Sequence, residues 1–275
     1  MDTQQKILEV GDGHMPALGF GTWQVEGKEC VESVADALLV GYRHVDTAEA
    51  YENEREVGAG VRRSGVDREK VWITTKVWWE HLSRDECIAS AEASLDRLDL
   101  GWIDLLLIHW PAYDVPMDEP LAAFRELQAR GVTRHIGVSN FTPAMVRRAL
   151  DVAPVSCIQA EYHPWLAQDE LIQIARDHDI AFTAYSPLGR GRVAQDETLR
   201  EIAEHHGKSP AQVALRWLLQ QPPVAAIPRA SSPEHRRENF DIFDFVLADD
   251  EMERVAALAE GYRIIDPEFA PAWDR

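Results

Sequence analysis

The sequence predicts a (β/α)8 barrel, and three observations carry that expectation. Eight short runs rich in Val, Ile and Leu recur along the 275 residues. A helical pattern separates nearly every consecutive pair, as parallel strands covered on both faces require. Polar residues end one run after another, where such a barrel gathers its functional groups.

In chain order, residues 6–17 read as two short strands joined by a Gly-Asp-Gly turn, a hairpin ahead of the barrel. Barrel strands follow near 18–22, 43–47, 71–77, 104–109, 134–139, 157–161, 180–184 and 224–227. Several helices carry start signals. Ser83 to Glu86 fits a capping box, with Ile88, Ala91, Leu95 and Leu98 at helical spacing behind it. Thr142-Pro143, Ser209-Pro210 and Ser232-Pro233 each set a capping hydroxyl before a proline at the first helical position. Two helices exceed the eight pairs, one near 196–206 ahead of 209–221 and one near 249–258. With no repeat, linker or low-complexity stretch, one domain over residues 1–275 is expected.

Composition bounds the function classes. The chain is 45% hydrophobic, and Cys30, Cys87 and Cys157 are odd in number without C-x-x-C spacing. That argues for a reducing compartment and no disulfide framework. The start M-D-T-Q-Q-K is polar, and no apolar run reaches the roughly 18 residues of a membrane span. A soluble, cytoplasmic protein is expected. The formal charge of −19, from 28 basic and 47 acidic residues, makes nucleic acid and anionic membranes poor partners. Lysine stands only at 6, 28, 70, 76 and 208. Both an acidic surface suited to high salt and a GC-rich genome account for that bias.

The chemistry centres on residues 41–60, G-Y-R-H-V-D-T-A-E-A-Y-E-N-E-R-E-V-G-A-G. Asp46 ends a strand and Tyr51 follows in the loop; Lys76 and His109 end the next two strands, near 71–77 and 104–109. Singly, each has an ordinary reading: a helix cap, a half-buried aromatic, a snorkelling lysine, a hydrogen-bonded core histidine. Together they form a proton-donating device. The Lys76 ammonium, held by Asp46, would lower the tyrosine pKa from its usual value of about 10. His109 would orient a carbonyl, and Tyr51 would protonate an oxygen gaining negative charge. Ser139-Asn140, Gln159 with Glu161, and Tyr185-Ser186 end later strands on the same rim. No G-x-G-x-x-G, H-E-x-x-H or paired-cysteine motif occurs, so neither a Rossmann domain nor a metal centre is expected. The sequence H-G-K-S at 206–209 has Ile202 where a P-loop needs glycine.

At these residues the chain resembles the aldo-keto reductase family. The matching segments are G-F-G-T-W (19–23), D-T-A-E-A-Y-E-N-E (46–54), K-V-W (76–78), D-L-L-L-I-H-W-P (104–111), I-G-V-S-N-F (136–141), A-Y-S-P-L-G (184–189) and I-P-R-A with R-E-N-F (227–240). They stand in family order across nearly the whole chain. The resemblance implies a (β/α)8 barrel with a hairpin closing its amino end, and NAD(P)H-dependent reduction of aldehydes and ketones. It makes Tyr51 the general acid, Asp46 and Lys76 its tuning pair, and His109 the substrate-orienting group.

The resemblance also implies a cofactor site. Gly21, Thr22, Trp23 and Asp46 belong to it from the first two strands, and Tyr185 would stack on the nicotinamide. Ser139, Asn140 and Gln159 would bind its carboxamide, and Ser186, Pro187, Leu188 and Gly189 would span the pyrophosphate. At the adenosine end stand Pro228, Arg229, Ala230, His235, Glu238 and Asn239. Relatives that prefer NADPH carry lysine, serine and arginine where this chain has Arg229, Ala230 and His235. NADPH is therefore expected, with NADH accepted unusually well, unless Arg236 and Arg237 swing in.

Trp23, Tyr51, Trp78, His109 and Trp110 would line the substrate pocket, while Trp79 packs. A tail carrying Tyr262, Phe269 and Trp273 would fold over its mouth. Short loops resemble the prokaryotic branch that reduces 2,5-diketo-gluconate, methylglyoxal and simple aldehydes. The expected partner is a small carbonyl compound, and the expected state a monomer. Two alternatives stay open: a Schiff-base lyase using Lys76, and a barrel that senses nicotinamide without catalysis.

Overall fold

The computed structural model describes residues 5–273. The amino-terminal residues 1–4, part of the stretch read as lacking a signal peptide, lie outside the described residues.

Strands β1 (Ile7–Val10) and β2 (Gly13–Pro16) form the antiparallel hairpin. In β1 the side chains of Leu8 and Val10 are buried while Ile7 and Glu9 face out, the period of a strand lying on a core. Under the hairpin His135 stacks on Trp72, with ring centroids 5.2 Å apart.

The barrel strands are β3 (Phe20–Gly21), β4 (His44–Asp46), β5 (Trp72–Val77), β6 (Ile103–Ile108), β7 (Thr133–Ser139), β8 (Cys157–Glu161), β9 (Ala181–Tyr185) and β10 (Val224–Ala226). They pair in sequence order, and every pairing is parallel. A parallel bridge between Leu18 and Ala226 joins the last strand to the first. This seam explains why β3 is shorter than the expected 18–22: Gly19 donates to Ala226, not to β4. All side chains of β5 and β6 are buried, which accounts for their unbroken apolar character.

Helices α1 (Gly27–Val40), α2 (Glu54–Ser64), α3 (Arg84–Leu98), α4 (Asp118–Ala129), α5 (Pro143–Val152), α6 (Asp169–Asp177), α8 (Pro210–Leu219) and α9 (Pro233–Phe240) cover the sheet. The two extra helices are α7 (Glu197–His206) and α10 (Asp249–Ala256), as the sequence predicts. Thr142, Ser209 and Ser232 each cap their helix through the side-chain oxygen. The box expected at Ser83 differs: its hydroxyl donates to the Glu86 carboxylate instead of accepting from backbone. A hydroxyl–carboxylate bond is charge-assisted and outcompetes a neutral cap. Gly58 brings α2 against the end of α3, where a Cβ would lie 1.9 Å from the Leu98 carbonyl oxygen. No described helix is long and apolar enough to cross a membrane.

Candidate active site

Lys76 is the penultimate residue of β5, with its side chain wholly buried in the barrel. Its Nζ donates to Asp46 Oδ1 at 2.5 Å and to the Thr47 carbonyl at 2.7 Å. Asp46 Oδ2 accepts from Gln159 Nε2 at 2.8 Å. Burial pulls the Lys76 pKa down, while the Asp46 charge and its hydrogen bond push it back up. A charge pair this deep is stable only because these further bonds satisfy it.

Tyr51 ends a single 3-10 turn over Glu49–Tyr51 that leaves β4. The Lys76 Nζ lies 5.1 Å from the centre of its ring. Burial pushes the Tyr51 phenol well above the usual tyrosine value, and the Asp46 carboxylate adds to that rise. Here the expectation of a lowered tyrosine pKa is corrected. The ammonium spends its charge on Asp46 and Thr47, and desolvation of the phenolate dominates. The phenol keeps its proton at rest.

His109 follows β6 and packs edge-on to Tyr51, centroids 5.7 Å apart, and to Trp78 at 5.2 Å. Burial, with the Lys76 charge, holds its pKa well below the ordinary histidine range, so the ring is neutral. Its Nδ1 is buried without a hydrogen-bond partner.

These groups meet at one end of a cleft of about 1060 Å³. Of the predicted residues, Gly21, Thr22, Trp23, Asp46, Tyr51, Trp78, His109 and Trp110 line it. So do Asn140, Gln159, Tyr185, Ser186, Pro187 and Leu188, and, further along, Pro228, Arg229, Ala230, His235, Glu238 and Asn239. Three do not. Lys76 and Ser139 are buried behind the wall, and Gly189 turns toward a smaller neighbouring hollow. The polar groups at this end bind one another: Tyr185 donates to Asn140 Oδ1 at 2.7 Å, and Asn140 Nδ2 donates to the His109 carbonyl at 2.9 Å.

Gly21 passes so close to the opposite wall that a Cβ would lie 2.7 Å from the Ile227 carbonyl oxygen. Arg229 is exposed and makes only long contacts, 3.4–3.5 Å, to Trp23 and Gln24. Arg236 cannot swing in. It is buried, bonded to Asp36 at 2.6 Å, and also reaches Ser33 and the Ala230 carbonyl, tying α9 to α1.

Sequence reasoning passed over five contributors. Arg190 lies over the Trp23 ring at 4.6 Å, reached through a left-handed kink at Arg190 and Gly191. Asn53 is buried and donates to the Thr22 and Val25 carbonyls, both at 2.9 Å, pinning the loop that carries Trp23. Glu49 accepts from the Trp78 backbone at 2.9 Å. Ile264 and Ile265 of the tail line the cleft. Asn53 stands in sequence as a polar residue just ahead of α2, but nothing local names its partners. The tail does fold over the mouth: Phe269 packs against Trp78, Trp79 and Trp110, and Trp273 against Trp110.

Comparison with known proteins places this architecture. The Aldo/keto reductase family profile matches residues 17–260. Glyoxal reductase of Bacillus subtilis (strain 168) is 44% identical over 254 residues, covering 91% of each chain. Methylglyoxal reductase DkgB of Escherichia coli O157:H7 is 36% identical over 266 residues, covering 94% of this chain and 99% of its own. A crystal structure with the provisional name 2,5-diketo-D-gluconic acid reductase B superposes with a TM-score of 0.97 at 42% identity, covering 99% of both chains. The chain belongs to the aldo/keto reductase family and is an oxidoreductase of carbonyl compounds.

Proposed function

We propose that this protein reduces small aldehydes and ketones to alcohols with NADPH, accepts NADH as well, and uses Tyr51 as the proton donor. The observation that carries the reading is the meeting of Tyr51, neutral His109 and the buried Asp46–Lys76 pair at one end of a single cleft.

The cleft suits a nicotinamide dinucleotide. At about 1060 Å³ it is at the upper end of small-molecule sites, and ring faces, amides and cations alternate along it. Tyr185 would take the nicotinamide, with Asn140 and Gln159 at its carboxamide. Ser186, Pro187, Leu188 and Arg190 would flank the diphosphate, and Arg229 and His235 the adenosine. A reduced nicotinamide held there supplies the hydride that the carbonyl carbon accepts.

The residues of the chain handle the oxygen. Burial keeps the Tyr51 proton in place until the carbonyl oxygen gains negative charge, and Tyr51 Oη then donates to it. The phenolate left behind is stabilised by the ammonium 5.1 Å from the ring, which was fixed beforehand and needs no reorganisation. Because that charge exists only as the bond forms, the ammonium favours the transition state over the bound substrate. With Nδ1 of His109 walled in, Nε2 is the nitrogen able to donate to the same oxygen. Trp23, Trp78 and Trp110 surround the reacting group and thin out the water.

A lyase reading finds little support. Lys76 Nζ is fully buried, bonded twice and absent from the cleft lining, so no free amine meets a carbonyl. Assay of glyoxal, methylglyoxal and simple aldehydes with each nicotinamide tests the proposal. Consumption of NADPH with alcohol formation is expected. Nicotinamide binding without turnover of any carbonyl would favour the sensing barrel, and borohydride trapping without nicotinamide would favour the lyase.

A further inference from the structure

Glu161 ends β8 on the same rim, wholly buried, yet it has no part in the proton chemistry above. Its carboxylate faces the carboxyl-terminal tail, over a hundred residues later. Oε1 accepts from the backbone N–H of Ile264 at 2.7 Å, and Oε2 from that of Ile265 at 2.8 Å. His163 Nε2 shares Oε1 at 2.9 Å. The Glu161 carbonyl accepts from Gln168 at 2.7 Å, which fixes the strand end itself. Two consecutive amides on two oxygens of one carboxylate set both the position and the rotation of the tail at that point. Hydrogen bonds to an ionised acceptor are also about twice as strong as neutral ones.

The pinned residues are cleft wall. Ile264 and Ile265 line the cavity, followed by Asp266, Pro267 and Phe269. Phe269 then meets Trp78, Trp79 and Trp110 at centroid distances of 5.2–5.4 Å. Upstream, the Glu260 and Tyr262 amides bond the Trp165 carbonyl, so the tail is anchored on both sides of Arg263. Arg263 itself lies over the Trp273 ring at 3.7 Å, with its charge within electrostatic reach of Glu161 and Tyr185. The tail thus presents apolar side chains and one carboxylate to the substrate.

We propose that Glu161 is a positioning residue that sets substrate selectivity: it latches the tail over the cleft, building an apolar compartment for neutral carbonyls that carry a compact apolar substituent. The inference rests on the carbonyl-reductase reading for its substrate half, but the latch itself does not. Methylglyoxal and phenylglyoxal make a matched pair for the test, since both present the same neighbouring carbonyls and differ in the group that would reach the tail.

The experiment compares wild type with Glu161→Gln and Ile265→Pro. The first replaces one acceptor oxygen by an amide nitrogen, and the second removes one donated N–H. Trypsin cleavage after Arg263, followed by mass, reads the latch without reference to activity. It is expected to accelerate about tenfold in both variants, as loss of one charge-assisted hydrogen bond implies. In Glu161→Gln the phenylglyoxal KM is expected to rise about tenfold while that of methylglyoxal moves less than about twofold, with nicotinamide affinity unchanged. The double variant should add little to either single change, because both break the same contact. Glu161→Asp, which keeps the charge, should recover part of the selectivity. Wild-type cleavage and wild-type phenylglyoxal KM in both single variants would overturn the proposal, as would equal losses for the two substrates. If the wild type reduced neither compound, the carbonyl reading would fall, and the trypsin comparison would still decide the latch.

Discussion

Behind the wall at the deep end of the cleft, Lys76 is fully buried and bonded to Asp46 and Thr47, with Asp46 backed by Gln159. At the far end, Arg229 and His235 are exposed, and Arg229 holds nothing closer than 3.4 Å. The same kinds of charge therefore act under opposite conditions. In the interior, low dielectric magnifies each interaction and an unpaired group is costly. At the exposed end water and salt screen the cations, and their contributions are small and tunable. Chemistry should accordingly be brittle to substitution and indifferent to conditions, whereas nicotinamide choice should be the reverse.

The largest effect should follow Lys76→Met. Loss of the ammonium is expected to lower kcat by about 10²–10⁴. It also leaves Asp46 buried without its partner, at a cost to stability of about 3–5 kcal/mol. Adding Asp46→Asn should recover the stability but not the turnover, as read by denaturant melts and by initial rates. Recovery of both would mean that the pair only holds the barrel together.

Next in size is a predicted lack of response to pH. On the proposed mechanism activity needs the Tyr51 proton, and it should be lost as pH rises through the folded pKa, which lies above the ordinary tyrosine value of 10.0. The His109 ring stays neutral because its pKa lies well below 6.5. Between about pH 6 and pH 9, kcat/KM should change less than about threefold. A basic limb centred near pH 8 would show that Lys76 lowers the phenol in the working complex after all.

At the exposed end, His235→Arg should raise the preference for NADPH over NADH by about tenfold, one added charge-assisted contact to phosphate. Ratios of kcat/KM for the two cofactors at fixed pH and ionic strength read it. A wild-type preference above about a thousandfold, or no change in the variant, would place the discrimination elsewhere.

The smallest effect concerns the whole surface. With a formal charge of −19, melting temperature should rise by a few degrees from low salt to molar KCl, where the Debye length falls to about 3 Å. A flat or falling curve would leave genome composition as the source of the arginine bias.

The same contrast explains what was legible in the sequence. Asp46, Tyr51, Lys76 and His109 could be read because each stands at or just beyond a strand end, and strand ends share one rim by topology alone. What depends on side-chain direction could not be read. Ser139 turned out to lie behind the cleft wall, and Gly189 faced a neighbouring hollow. The sign of the Tyr51 shift needed the depth of burial, which no spacing supplies. Arg236 looked free in sequence, but the packing of α9 on α1 delivers it to Asp36. The partners of Glu161 stand 103 and 104 residues away, beyond any local pattern.

The central claim is that Tyr51 gives the proton, and Tyr51→Phe tests it with the least disturbance, since one hydroxyl is removed from a ring that keeps its packing against His109. Single-turnover reduction of methylglyoxal should be followed with NADPH prebound, alongside a titration of NADPH affinity. The reduction rate is expected to fall at least about a hundredfold while the affinity changes less than about twofold. A variant that reduces methylglyoxal near the wild-type rate, with NADPH bound as before, would contradict it.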